Sequence, residues 1–232
     1  MPFHVDLHKE MNNPGNLHNF GSVDRILLGL VNQKLSRRDE FISKELTNHL
    51  FQVKIQKVLK SSNDCWFQTP RSHFGMDLAA INIQRGRDHE LAPYNIWREQ
   101  CGLKRLQTWE ELADAMDGDT AVRMKSVYEH VDDIDLFTGG MAEKPVVGGI
   151  IGPTFACILG QQFLNLRRGD RFWYENGNHP GAFTPEQLQE IRKTSLSRII
   201  CDCLDDVEDI QPFAFLQPDL SANKRTVCRG RG

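Results

Sequence analysis

The sequence predicts a mainly α fold. Three observations carry this. Two N-terminal capping boxes stand before apolar runs, Thr108-Trp109-Glu110-Glu111 and Thr184-Pro185-Glu186-Gln187, the second with proline at the first helical position. Apolar residues behind them recur at helical spacing. Strictly alternating strand patterns are scarce.

In chain order, a helix is expected over about residues 38–52, and a second begins at Leu78 with Asp77 as its cap. Thr108 opens a third, followed by Leu112 and Met116. Pro153 opens a fourth, with Phe155, Leu159, Phe163 and Leu166 on one side and Gly169 where a helix-ending glycine belongs. The helix capped by Thr184 carries Leu188, Ile191, Leu196, Ile199, Ile200 and Cys203 near helical spacing. Loops are expected at Gly139-Gly140, at Gly148-Gly149 and over residues 175–181. The stretch from Val53 to His73 stands apart. It begins basic and alternating, Val53 to Lys60, and leads into a loop-like Ser61-Ser62-Asn63-Asp64-Cys65-Trp66.

At 232 residues the chain suits one or two domains with a real core. Hydrophobic residues at 40% and charged residues at 25% exclude a disordered tail. No apolar run reaches the ~18 residues of a membrane span. A net charge of −3 offers no basic field for nucleic acid. The six cysteines, Cys65, Cys101, Cys157, Cys201, Cys203 and Cys228, lack paired CxxC spacing, a poor zinc pattern and a fair disulfide pattern, with six free thiols as the equal alternative. Met1 to Asp6 does not read as a signal peptide, and no N-x-[ST] site is present. His4 and His8 have i, i+4 spacing, which could hold a metal, but a solvated pair near the terminus is the plainer reading. Arg168-Gly169-Asp170 has the form of an integrin-binding tripeptide. A helix-ending glycine between ordinary charges is the plainer reading there, with an extracellular adhesion module as its alternative.

The most informative segment is Asp77-Leu78-Ala79-Ala80-Ile81-Asn82-Ile83-Gln84-Arg85-Gly86-Arg87-Asp88-His89. On a helix, Leu78, Ile81, Asn82 and Arg85 fall within one stripe of roughly 60–100°. An amide and a guanidinium on an inward stripe need partners, either neighbouring backbone or a polar, anionic ligand. Arg87 points to the opposite face, which suits a structural role.

This segment, with Pro93-Tyr94-Asn95, Trp97-Arg98 and Cys101-Gly102-Leu103 after it, resembles the signature of the animal haem peroxidases. The resemblance continues through Asp135-Leu136-Phe137-Thr138-Gly139-Gly140-Met141, Gly152-Pro153-Thr154-Phe155-Ala156-Cys157 and Gly169-Asp170-Arg171-Phe172-Trp173-Tyr174-Glu175. It closes on Ile191-Arg192-Lys193-Thr194-Ser195-Leu196 and Cys201-Asp202. It is weak over residues 1–52, strong over 74–228 and absent over 53–73, which reads as an insertion.

The resemblance implies the C-terminal part of the helical peroxidase fold and an extracellular haem enzyme that uses hydrogen peroxide to oxidise small donors. It implies that Asn82 hydrogen-bonds the histidine ligating the haem iron, that Arg85 pairs with a haem propionate, and that Leu78 and Ile81 line the haem. It pairs Cys101 with Cys157 and Cys201 with Cys228, and leaves Cys65 and Cys203 without counterparts. The family's proximal histidine, and the distal histidine and arginine that act on peroxide, match no position here and are expected upstream of Met1. No catalytic residue or metal ligand is therefore assigned in this chain. Without those groups, a non-catalytic fragment is the competing expectation. Glu90 stands where the family usually has glycine after the Asp-His pair, which puts the local turn in question.

Overall fold

The computed structural model describes residues 7–11, 13–36, 39, 41–52, 75–205 and 207–228. The architecture is mainly α-helical. The helices are α1 (Leu7–Glu10), α2 (Ser22–Asn32), α3 (Lys44–Thr47), α4 (Leu78–Asp88), α5 (Tyr94–Gln100), α6 (Trp109–Ala115), α7 (Thr120–Lys125), α8 (Leu136–Ala142), α9 (Pro153–Gly169), α10 (Pro185–Arg192) and α11 (Leu196–Cys203). Strands β1 (Asp209–Ile210) and β2 (Thr226–Val227) pair antiparallel, Asp209 opposite Val227 and Ile210 opposite Thr226.

The chain forms two compact units. The first comprises Met1–Asn12 with Arg38–Phe163, the second Asn13–Arg37 with Leu164–Gly232. In the first, Tyr94, Leu106, Leu112, Met116, Ala121, Met124, Ile134 and Ala142 form a buried apolar cluster. The Cys101–Cys157 disulfide ties the end of α5 to α9. In the second, Val31, Ile200, Leu204, Val207, Ile210 and Ala214 form the core, with the Cys201–Cys228 disulfide packed against it. Gln211 is buried there and donates from Nε2 to the carbonyls of Val31 and Ala214 at 3.3 and 2.9 Å.

Several local expectations are corrected. The helix expected over 38–52 shrinks to α3, capped by Ser43. Gly139 and Gly140 lie inside α8 rather than in a loop. A Cβ on Gly139 would sit 2.2 Å from Cγ of Tyr94, and one on Gly140 would sit 2.4 Å from the Phe155 ring. The glycines therefore let α8 approach α5 and α9 closely, and that packing overrides their poor helix propensity. The pattern after Thr184 splits into α10 and α11, because Ser195 recaps the chain by accepting from the Arg198 N–H at 3.1 Å. Cys201 thus belongs to α11, not to the helix that Thr184 caps. At Thr108 only half of the capping box forms. The Glu111 N–H donates to Thr108 Oγ1 at 3.3 Å, while the Glu111 carboxylate accepts from the Gln107 N–H at 2.7 Å.

His4, Cys65 and the Val53–His73 stretch lie outside the described residues. The described flanks of that stretch meet: the Met76 N–H donates to the Leu50 carbonyl at 2.8 Å. His8 is not a solvated residue. Its ring is largely buried, lies 2.8 Å from Glu45 Oε2 through Nδ1 and stacks on His49 at 5.2 Å between centroids.

Candidate functional site

Helix α4 is set by its two ends. Asp77 accepts from the Ala80 N–H at 3.1 Å and caps the first turn. At the other end Glu90 has φ of 55°, in the left-handed region that a glycine would occupy at least cost. The Leu91 N–H donates to the Gly86 carbonyl at 2.9 Å and the Glu90 N–H to the Arg87 carbonyl at 3.1 Å, the paired bonds of a Schellman turn. The turn questioned from the sequence therefore closes, with glutamate in the strained position.

The four singled-out residues lie on α4 as the periodicity requires. Leu78, Ile81 and Asn82 are half-buried and Arg85 is exposed. Neither the Asn82 amide nor the Arg85 guanidinium has a side-chain partner among the described residues. No residue of α4 is fully buried. Arg87 takes the structural role instead. It donates from Nε and Nη2 to the two oxygens of Asp135, at 2.9 and 2.7 Å, and so fastens α4 to the start of α8. The Asp135 carboxyl is held below its ordinary range, chiefly by the hydrogen bond from Arg87, against the opposing effect of burial. Tyr128 also donates to Asp135, at 2.8 Å.

Asn82 opens onto a pocket of about 210 Å³ lined by Ile83, Gly86, Leu91, Asp135, Leu136, Phe137 and Phe155. The lining is apolar apart from Asn82 and Asp135. Phe155 enters from the first turn of α9, and Leu136 and Phe137 from α8. Arg85 is not part of this pocket.

Haem is an apolar macrocycle with two carboxylate arms. Leu78 and Ile81 supply aliphatic surface, Arg85 an exposed guanidinium and Asn82 an amide with unspent hydrogen-bonding capacity. These residues fit a macrocycle edge, a propionate and the imidazole of an iron ligand respectively. Among the described residues, no group of three or more His, Cys, Asp or Glu side chains could hold a bare metal ion.

A buried polar cluster includes Thr154, the residue before Phe155 of the pocket lining. Glu143 accepts from Tyr94 Oη, Thr154 Oγ1 and the Thr154 N–H, each at 2.8 Å, and from Arg98 Nη1. Arg98 also donates from Nε to the Lys104 carbonyl at 3.1 Å. Burial, reinforced by the Glu143 charge, raises the Tyr94 phenol above its ordinary range, so Tyr94 serves as a hydrogen-bond donor. Sequence reasoning missed this cluster. Tyr94 and Arg98 stand at i, i+4 on one helix, which is a usable hint, but Glu143 and Thr154 join them only in space.

Residues 2–215 match the family described as animal haem peroxidase. The chain belongs to the animal haem peroxidase family. It is 44% identical to thyroid peroxidase of Sus scrofa over 202 residues, 86% of this chain and 20% of that protein. It is 38% identical to peroxidasin of Drosophila melanogaster over 92% of this chain and 13% of that protein. The chorion peroxidase of the same fly matches at 38% over 97% of this chain and 26% of its own length. Among solved structures, peroxidase A from Dictyostelium discoideum superposes with a TM-score of 0.63 at 32% identity, covering 84% of this chain and 34% of that one. This peroxidase-family chain thus spans about a quarter or less of the curated relatives named here.

Of the family-implied residues, the structure brings Leu78, Ile81, Asn82 and Arg85 onto one helix. It bonds Cys101 to Cys157 and Cys201 to Cys228, and leaves Cys203 free and exposed. Arg168, Gly169 and Asp170 are exposed at the end of α9, where Asp170 Oδ1 accepts from the Phe172 N–H at 2.8 Å as a turn residue does. No helix among the described residues is long and apolar enough to cross a membrane.

Proposed function

We propose that this chain is the haem-facing part of an extracellular animal haem peroxidase domain, and that it does not turn over peroxide on its own. The observation that carries the reading is the α4 stripe. A half-buried amide and an exposed guanidinium, neither partnered among the described residues, share one face with two aliphatic side chains in a chain of this family.

Haem, when bound, supplies the redox chemistry by which hydrogen peroxide oxidises small donors. The chain's own residues bind and orient. Arg85 holds a propionate by charge-assisted hydrogen bonds, and Leu78 and Ile81 cover the apolar edge. The Asn82 carbonyl oxygen accepts from the far N–H of the iron-ligating imidazole, which fixes the tautomer and strengthens the ligand. None of the four acts on peroxide, so turnover needs groups beyond them. The two disulfides suit an oxidising compartment. Residues 53–73 are read as an insertion, in keeping with the meeting of Leu50 and Met76 across them.

The test is titration of the 232-residue protein with haemin, with imidazole supplied in solution as the axial base. A Soret shift without guaiacol oxidation is expected. Arg85→Ala should weaken haemin binding about tenfold or more, the worth of a hydrogen bond to a charged group of about 1.5–3 kcal/mol. Asn82→Ala should weaken the imidazole dependence. Haemin binding indifferent to both substitutions overturns the site, and guaiacol oxidation by the chain alone overturns its inactivity.

A further inference from the structure

We propose that Glu143 is a positioning residue for the α4 site: through Thr154 it fixes Phe155 as the wall of the pocket onto which Asn82 opens. The inference rests on the proposed haem-facing role for its consequence, but not for its geometry.

Glu143 has a side chain only 1% exposed, in an ion pair with the nearly buried Arg98. A buried ion pair is at best weakly stabilising compared with apolar side chains of the same volume, so stability alone does not account for it. Its geometry offers a second reason. Glu143 directly follows α8, its partners Tyr94 and Arg98 lie on α5, and its partner Thr154 opens α9. The carboxylate is therefore a point on which three helices converge. It takes two bonds from Thr154, one from the backbone N–H and one from the hydroxyl, and these fix both the start of α9 and its rotation. A Cβ on Gly152 would lie 2.3 Å from Glu143 Oε2, so the chain entering α9 passes directly against the carboxylate.

Phe155 is the next residue after Thr154. Its ring packs on Gly140 of α8 so closely that a Cβ there would overlap it, and the same ring lines the pocket with Asn82. Leu136 and Phe137, also in the lining, come from α8. The walls facing Asn82 are thus furnished by the two helices whose relation Glu143 sets. Helix α4 itself buries no residue fully, so these walls and the Arg87–Asp135 pair define the surroundings of Asn82.

The test compares the whole chain with Glu143→Gln and Thr154→Val, following the Asn82 side-chain amide and the Phe155 ring by NMR. Glu143→Gln keeps the shape but gives up the charge and turns one of the two acceptor oxygens into an NH2 donor. Thr154→Val removes only the hydroxyl bond and covers the case in which Glu143→Gln does not fold. Leu112→Ala, which opens the apolar core of the same unit, is the control for general destabilisation. Positioning predicts that the Asn82 amide pair and the Phe155 ring resonances shift in both network variants and not in Leu112→Ala. Folded network variants with both sets of resonances unmoved, or equal shifts in the control, overturn it. Haemin titration of wild type, Arg85→Ala and Asn82→Ala, with imidazole supplied, separates the two readings. If the resonances move in the network variants while haemin binding and its imidazole dependence are indifferent to both Arg85→Ala and Asn82→Ala, the positioning stands and the haem-facing role falls.

Discussion

Glu90 holds a left-handed backbone conformation that favours glycine over most other residues, and it does so at the end of the helix that carries the candidate site. The left-handed region costs an ordinary residue about 1–2 kcal/mol. Glycine there would be offset by its greater freedom in the unfolded chain, about 0.4–1 kcal/mol. Glu90→Gly is therefore expected to raise stability by about 0.5–1 kcal/mol, read as an upward shift of the urea midpoint at unchanged slope. A lower midpoint would show that the glutamate side chain holds something the turn needs. The turn also has a use. It delivers Leu91 to the pocket beside Gly86, so relaxing it should leave the pocket intact. At this scale the sequence was informative about identities and silent about partners. Asn82 and Arg85 were legible because an amide and a cation interrupt an apolar stripe. Glu143 was not, because nothing in its neighbours signals a buried carboxylate. Its donors lie 49, 45 and 11 positions away.

Helix α8 shows how packing can invert a propensity. Its Gly139-Gly140 pair reads as a loop, since glycine is roughly 1 kcal/mol worse than alanine inside a helix. Yet both glycines are buried, and each faces an aromatic ring at a distance that leaves no room for a methyl group. Propensity predicts that Gly139→Ala stabilises the protein by about 1 kcal/mol. Packing predicts the opposite, a net loss of about 1–3 kcal/mol as Tyr94 is displaced. Thermal unfolding of this one variant decides between them by sign, and the structure expects the loss. The capped helices were legible for a complementary reason. Thr184, Ser195 and Asp77 act through hydrogen bonds within three residues, so the sequence contains both partners. Where the outcome depended on a distant ring, as at Gly139, or on a short helix such as α3, local pattern was not enough.

Across the whole molecule, the fold class and family were legible because motifs recur over most of the chain, from the α4 segment to Cys201. The division into two units was not, since the second joins Asn13–Arg37 to Leu164–Gly232 across more than a hundred intervening residues. Large apolar side chains remain exposed on α2 (Val23, Ile26, Leu30) and on α9 (Leu159, Phe163, Leu166). The chain also spans 34% of the Dictyostelium peroxidase it superposes on. Deleting residues 53–73 should leave the fold in place and raise stability by about 1–2 kcal/mol, because loop-closure entropy falls with the logarithm of loop length. Circular dichroism with a urea midpoint checks it. A loss of helix signal on deletion would mean that those residues are integral to the fold.

The hydrogen bond from Met76 to Leu50 also has a practical meaning. Two chain ends held that close form a natural splice point, where foreign sequence can enter and leave without stretching the helices on either side. A small affinity tag or a fluorescent reporter grafted there would leave α4 anchored by Asp77 at one end and the Schellman turn at the other. The candidate site could then be followed from a label placed at its own doorstep.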